Sequence, residues 1–223
     1  MSSPTGASVY TWEDRFFGQR SYSATATSNA GHNWAVTTTE TAGTMVYAPV
    51  DGGPGVSITL DSDSEIENGC LSFGNNLAFD IDSIIEATFR VKQGQATIDS
   101  ATSLAFGLIG DRNDAIDSIA QNMVFRLIGS NAVVVETDDG TTDTDDVATG
   151  KTLSTTATDF TISLATGKSD VRFFIGGQPV ATGTTFSMAA YSGALQPFIQ
   201  LQKTADVNVD SVTLEWVRVL LRI

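Results

Sequence analysis

Carboxylates are the groups in this chain whose type and spacing could do chemistry, and they come in three runs. "LDSDSEIEN" holds Asp61, Asp63, Glu65 and Glu67; "GDRNDAID" holds Asp111, Asp114 and Asp117; "TDDGTTDTDD" holds Asp138, Asp139, Asp143, Asp145 and Asp146. Carboxylates on short turns suit Ca2+, a hard cation that takes about six to eight oxygen ligands. None of the runs has the EF-hand spacing, with Gly at the sixth position and Glu at the twelfth. Solvated acidic loops are therefore the expectation, and a Ca2+ ion in one of them the alternative. Glu65 and Glu67 stand two apart, which places both on one face of a strand. That is the arrangement of an acid beside a nucleophile or base in glycoside hydrolysis. Nothing in the neighbouring sequence marks an apolar pocket that would raise one of the two pKa values.

Three tryptophans, Trp12, Trp34 and Trp216, offer flat faces of the kind that stack on sugar rings. Trp216 shares parity with Val212 and Leu214 and is assigned to the core. Trp34 follows a polar loop and opens a strand, so it is read as a ligand or partner contact. His32 is the single histidine and cannot build a His-based zinc site. Cys70 is the single cysteine, which rules out an internal disulfide; it sits in a strand-like run with no His nearby and reads as a small buried hydrophobe. There is no G-x-S-x-G elbow, P-loop or dinucleotide fingerprint. No catalytic residue and no cofactor are assigned, and a non-enzymatic protein is expected.

The elements that must position these groups are strands. In "IIEATFRVK", Ile85, Ala87, Phe89 and Val91 share one face; Phe160, Ile162 and Leu164 do so in "DFTISLAT", Val171, Phe173 and Ile175 in "DVRFFIGG", and Val56, Ile58 and Leu60 in "GVSITLD". Period-two alternation marks strands that are dry on one face and wet on the other. Further strands are expected at "WAVTTT", "GTMVYA", "CLSFG", "SLAFGLIG", "MVFRLIG", "AVVVET", "LQPFIQLQ" and "VTLEWVRVLLRI". Turn signals such as "DGGPG", "TDDGT" and "IGGQ" recur every ~10–20 residues, the rhythm of a sandwich and not of alternating βαβ units. The Gly176-Gly177 pair fits a tight hairpin turn. In the last strand, parity switches at Val217, which calls for a bulge or for cover on both faces. The best helix candidate is short, Asp114 to Asn122. Glu136 to Thr158 is polar and reads as exposed loops flanking a short strand near Val147. The expected fold is all-β, an antiparallel β-sandwich of about 12–14 strands with little helix, residues 1–11 forming an arm and 12–223 a single domain.

The chain has 223 residues and a formal net charge of −14. Such a surface repels nucleic-acid phosphates, so no nucleic acid is expected as a partner. It leaves open attraction to a basic partner. No apolar run approaches the ~18 residues of a membrane span, and no signal peptide pattern opens the sequence. Synthesis in a cytoplasm, without a membrane and without the usual export route, is the expectation.

The order of motifs carries a resemblance. "TWEDRFFG", "GHNWAV", "IIEATFRVK", "LAFGLIGDRN", "VRFFIGGQPV", "LQPFIQLQK" and the closing "DSVTLEWVRV" follow one another from Trp12 to Arg222. This order resembles the concanavalin A-like lectin/glucanase jelly roll (LamG-like), in the form found in structural proteins of tailed bacteriophages. The resemblance implies two antiparallel sheets packed face to face. It further implies a virion role: a capsid decoration or accessory head protein that binds the shell of major capsid protein, other virion proteins and copies of itself. A glycan-binding receptor or tail module is the alternative, and a glycoside hydrolase a weaker one. The glucanase branch carries Glu-x-Asp-x-x-Glu on one strand; "ENGCLSF" and "EATFRVK" lack its second and third carboxylates. Partner contacts are expected at the irregular amino end (Ser2, Ser3, Pro4, Val9, Tyr10), at Trp34, and at the apolar carboxyl end (Leu220, Leu221, Ile223).

Overall fold

A computed structural model describes residues 8–17 and 34–223. Ser2, Ser3, Pro4 and His32 lie outside the described residues. In chain order the strands are β1 (Val9–Asp14), β2 (Ala35–Thr39), β3 (Val46–Pro49), β4 (Val56–Thr59), β5 (Glu65–Ser72), β6 (Phe79–Asp80), β7 (Ile84–Gln93) and β8 (Thr102–Ile109). They continue with β9 (Asn122–Ile128), β10 (Ala132–Asp138), β11 (Asp143–Thr152), β12 (Thr158–Ser163), β13 (Arg172–Ile175), β14 (Gln178–Val180), β15 (Ala194–Asp206) and β16 (Ser211–Arg222). Of these, sequence periodicity misses β1 and the two-residue β6.

Two antiparallel sheets form a sandwich. The first runs β14-β13-β12-β7-β16-β4-β3, with β1 also on β16; the second runs β11-β10-β9-β8-β15-β5-β2, with β6 also on β15. Strand β16 pairs with β4 through Ser211–Leu214 and with β1 through Val217–Arg222, so β4 and β1 lie end to end along one side of it. Val9 and Tyr10 are therefore strand residues facing Arg222 and Leu221, and the boundary expected after residue 11 falls inside β1.

Alternation fills the space between the sheets. Phe160 and Ile162 of β12, Phe173 and Ile175 of β13, Phe106 of β8 and Phe125 of β9 are all buried. Phe106 meets the edge of Phe160 with centroids 5.0 Å apart, and Phe125 meets that of Phe173 at 5.2 Å. Edge-to-face pairs of this kind add about 0.5–1.5 kcal/mol each to the burial of the rings. A second aromatic group, Trp12, Phe16, Trp34, Phe73 and Phe79, closes one end of the core. The hairpin from β13 to β14 turns on Gly176 and Gly177, with φ of +58° and +75°, as a two-residue hairpin turn requires.

Three expectations are corrected by local geometry. A bulge between Leu214 and Trp216 inserts Glu215, so Val217 and Val219 continue the inner face while Trp216 turns outward and half-exposed. A second irregularity, between Leu220 and Leu221, leaves Ile84 buried and Ile85 at intermediate depth. The Asp114–Asn122 segment is not an α-helix; it holds only a 3-10 turn at Ile116–Ser118, because a stretch this short cannot nucleate a helix without tertiary help. No helix among the described residues is long and apolar enough to cross a membrane.

Candidate functional site

The fold ties the first acidic run to Lys203 and brings the other two together on Arg126. Glu67 and Lys203 are register partners on β5 and β15, and both side chains are fully buried. The Lys203 ammonium lies 2.7 Å from Glu67 Oε1 and donates to the carbonyl oxygens of Asp61 (2.6 Å) and Asp63 (2.9 Å). Asp61, Glu65 and Glu67 bring carboxylate oxygens within 4.8 Å of one another, a spacing a metal ion could use. Here the lysine supplies positive charge to an oxygen cage. Burial pushes Glu67 up to about 7, against the pull of Lys203. Glu65 accepts from the backbone N–H of Thr41 (2.6 Å) and of Ala42 (2.8 Å). The Glu65–Glu67 pair is thus on one strand as expected, yet neither carboxylate is free for acid–base work.

The other two runs converge on Arg126 of β9. Its guanidinium, 4% exposed, pairs with Glu136 of β10, Asp117, Asp146 (3.2 Å) and Asp145 (3.5 Å). Asn122 donates to Glu136 Oε1 at 2.6 Å. Burial raises the Glu136 pKa and Arg126 opposes it; burial likewise raises Asp146. Glu136, Asp145 and Asp146 also come within metal-ligating range of one another. Asp139 is a turn residue: its Oδ1 accepts from the backbone N–H of Thr142 (2.7 Å) and its Oδ2 from that of Ala190 (3.0 Å). The strand read as a short piece near Val147 is the ten-residue β11, which delivers Asp145 and Asp146.

The outer face of the second sheet is closed by the chain itself. Segment 110–121 lies across it like a strap. Ile116 and Ile119 pack onto Cys70, Ala105, Ile109, Val124 and Phe198. Gln196 donates to Gly110 O (2.8 Å) and Gln200 to Asp114 O (2.7 Å), while Asp117 reaches Arg126. Cys70 is fully buried beneath the strap, as expected of a small hydrophobe, and burial raises its thiol pKa to about 11.

Among the described residues, no segment crosses the outer face of the first sheet. Register places Pro179, Phe174, Thr161, Thr88, Arg218 and Glu13 in one row across five neighbouring strand pairings. The adjacent row is Arg172, Ser163, Glu86, Leu220 and Thr11. Trp216 stands opposite Arg90, and the Arg218 guanidinium lies 5.6 Å from its ring centroid. Arg90, Lys92, Arg172, Arg218 and Arg222 all belong to this face, out of 12 Lys and Arg in the chain. Acidic neighbours pair with them: Asp159 with Arg90 (2.7 Å), Glu215 with Lys92 (3.2 Å), Glu86 with Arg218 (3.4 Å). The face is mixed and near neutral on a strongly acidic molecule. At its margin, a depression of about 450 Å³ opens between β13–β14 and the 181–186 loop.

Expected contact residues separate by position. Trp34 is fully buried: its ring packs on Phe73 (5.1 Å) and Phe16 (5.2 Å), and its N–H donates to Asp14 Oδ2 at 3.0 Å. It is a core residue and offers no ligand contact, because the strand it introduces tucks its indole under β1. Val9, Tyr10 and Ile223 are exposed (57%, 51% and 75%), Leu220 is half-buried on the outer face, and Leu221 packs against the core. Pairing of β1 with β16 brings these five residues to one edge of the first sheet.

The architecture is that of the concanavalin A-like lectin and glucanase jelly rolls. It is similar to the Emp47p carbohydrate recognition domain (TM-score 0.61, 12% identity, 100% of this chain and 99% of that one). It is also similar to the β-glucanase of Bacillus licheniformis (TM-score 0.60, 10% identity, 96% and 98% covered). A protein of unknown function from Shewanella oneidensis MR-1 aligns as well (TM-score 0.63, 13% identity, 100% and 90% covered). At these identities the likeness is one of fold. No protein-family model and no curated protein matches the sequence.

Proposed function

We propose that the chain is a non-enzymatic binding protein that works through the open outer face of its first sheet. Its setting, on this reading, is the particle of a tailed bacteriophage, where it attaches as a decoration or accessory head protein to the surface of the shell of major capsid protein, alongside copies of itself. The observation that carries the non-enzymatic reading is the commitment of the carboxylates. Glu67 is held by Lys203, Glu136 by Arg126 and Asn122, and Glu65 by backbone N–H groups. Acid–base catalysis needs such groups within reach of a substrate, and these are spent on the fold. The near-neutral face supports docking, since it spares a partner the repulsion of the remaining surface. The phage setting is supported by the sequence resemblance. The test is co-sedimentation of the purified chain with assembled shells that lack it. Saturable attachment at a simple ratio to the shell protein is expected, weakened by Trp216→Ala and Leu220→Asp. Failure to co-sediment, or release of sugar from β-glucan, contradicts the proposal.

Glycan binding is a second reading, and one observation favours it. The depression beside β13 combines hydroxyl groups with an aromatic side chain on the open face.

A further inference from the structure

We infer that Lys203 and Glu67 condense within the folded chain, joining Nζ to Cδ as an isopeptide bond between β15 and β5.

The contact is arranged for a nucleophile. Both side chains are fully buried, and the strands hold them as register partners. Two N–H bonds of the Lys203 nitrogen are taken by the carbonyl oxygens of Asp61 (2.6 Å) and Asp63 (2.9 Å). Its third position faces Glu67 Oε1 at 2.7 Å but off the hydrogen-bond direction, so Oε1 is a buried oxygen with no hydrogen-bond partner among the described residues. An ion pair made only for stability would align that third N–H with the oxygen. A deprotonated amine keeps both carbonyl bonds and turns its lone pair on the carboxyl group. Cδ is one C–O bond beyond Oε1, near the ~3–3.5 Å separation of a near-attack pair. Glu67 Oε2 accepts from the Asp61 N–H at 3.1 Å, which fixes the acceptor.

The third group is Asp61. Its Oδ1 accepts from the Asp63 N–H at 2.8 Å and lies 3.8 Å from the Lys203 nitrogen. Its buried Oδ2 has no hydrogen-bond partner among the described residues. Burial raises the Glu67 pKa and favours its acid form. Burial pushes Asp61 the same way, but the Asp63 N–H and the Glu67 carboxyl hold it below the usual range, so it stays a base. Two carboxyl groups split in this way can serve as electrophile and proton carrier.

The step balances without any further reactant. One ammonium proton passes to the Glu67 carboxylate, giving a neutral amine and a carboxylic acid. The nitrogen lone pair attacks Cδ and forms the C–N bond. Asp61 takes a second proton from the nitrogen and returns it to the departing hydroxyl. One C–O bond breaks, water leaves, and a secondary amide with one N–H remains; nothing is oxidised or reduced. The bond removes two buried charges, whose desolvation is costly. It also closes the chain from β5 to β15 into a ring, which constrains the unfolded state.

The experiment is intact-mass spectrometry of the denatured full chain, followed during incubation of the folded chain at neutral pH. The chain should become lighter by one water. Peptide mapping should place the loss on a branched peptide joining Lys203 to Glu67, with trypsin no longer cutting after Lys203. Asp61→Asn keeps the ion pair and should slow conversion about 100-fold, and Lys203→Met should keep its full mass. Because the mass is read on the unaltered chain, a misfolded variant does not decide the outcome. Glu67 titrates only before the bond forms, so the mass is read ahead of any pH dependence. Full mass after prolonged incubation overturns the proposal. So does a loss of water that maps to a cyclic imide at Asp51–Gly52 or Asp139–Gly140, or to a bond from Lys203 to Asp61.

Discussion

The two sheets present opposite solutions on their outer faces. On the second, Ile116 and Ile119 of segment 110–121 sit on Cys70, Ala105, Val124 and Phe198, and the polar residues around them bind the strap. On the first, Phe174, Trp216 and Leu220 remain half-exposed among compensated charges, with no segment of the described chain across them. One face is covered by the chain itself and the other is uncovered among the described residues. The difference teaches that a short segment with two isoleucines is enough to close one outer face of such a sandwich.

The sharpest way to break the comparison is to remove the cation under the strap. Arg126→Ala leaves Glu136 buried beside only Asn122, and truncating one partner of a buried pair costs about 3–5 kcal/mol. Urea unfolding should register that loss, and a cost under ~1 kcal/mol would mean the hub is not what holds the strap. Ile116→Ala should cost about 2–4 kcal/mol as a large-to-small change under cover. It should also open Cys70 to maleimide, which the unaltered chain resists; labelling at equal rates in both would show that the strap does not close the face.

A pH effect is expected at the Lys203 end of the same sheet. Burial raises the folded Glu67 pKa from 4.5 to about 7. Between those values the folded state holds a proton that the unfolded state has released, so this group's contribution is fully present below 4.5 and is lost as pH rises through about 7. Stability of the unaltered chain should fall more steeply over that window than stability of Glu67→Gln. Parallel curves would contradict the assignment. The smallest stability effects belong to the open face: Trp216→Ala and Leu220→Ala should each cost no more than about 1 kcal/mol, while weakening attachment to shells. A large loss of stability with unchanged attachment would place these residues in the scaffold instead.

Much of this contrast is visible in the residues, and the part that is not has definite causes. Phe160, Ile162, Phe173 and Ile175 announce the inner face by parity alone, and the double glycine announces the hairpin. Trp216 defeats parity because a single inserted residue, Glu215, reverses it. Trp34 looks like a contact residue because it follows a polar stretch, but its burial depends on Phe73 and on β1, which are remote in sequence. β11 is hidden because an exposed strand with mostly polar side chains has no dry face to show. Lys203 carries a signal of its own: it continues the inward parity of Ile199 and Leu201, and an inward lysine demands a buried acid across the register. Arg126 shows its outward direction by alternation with Phe125 and Leu127. Its carboxylate shell comes from three separate segments and cannot be read from local pattern.

The central claim is that the first sheet's outer face is the working face and the second's is closed. Hydroxyl-radical footprinting of the chain, free and attached to shells, tests it most directly. Trp216, Phe174 and Leu220 should be oxidised in the free chain and protected on attachment, with Ile116, Ile119 and Phe198 unreactive in both states. Oxidation of Ile116, Ile119 or Phe198 in the free chain, or protection that spares Trp216 and Leu220, would contradict it.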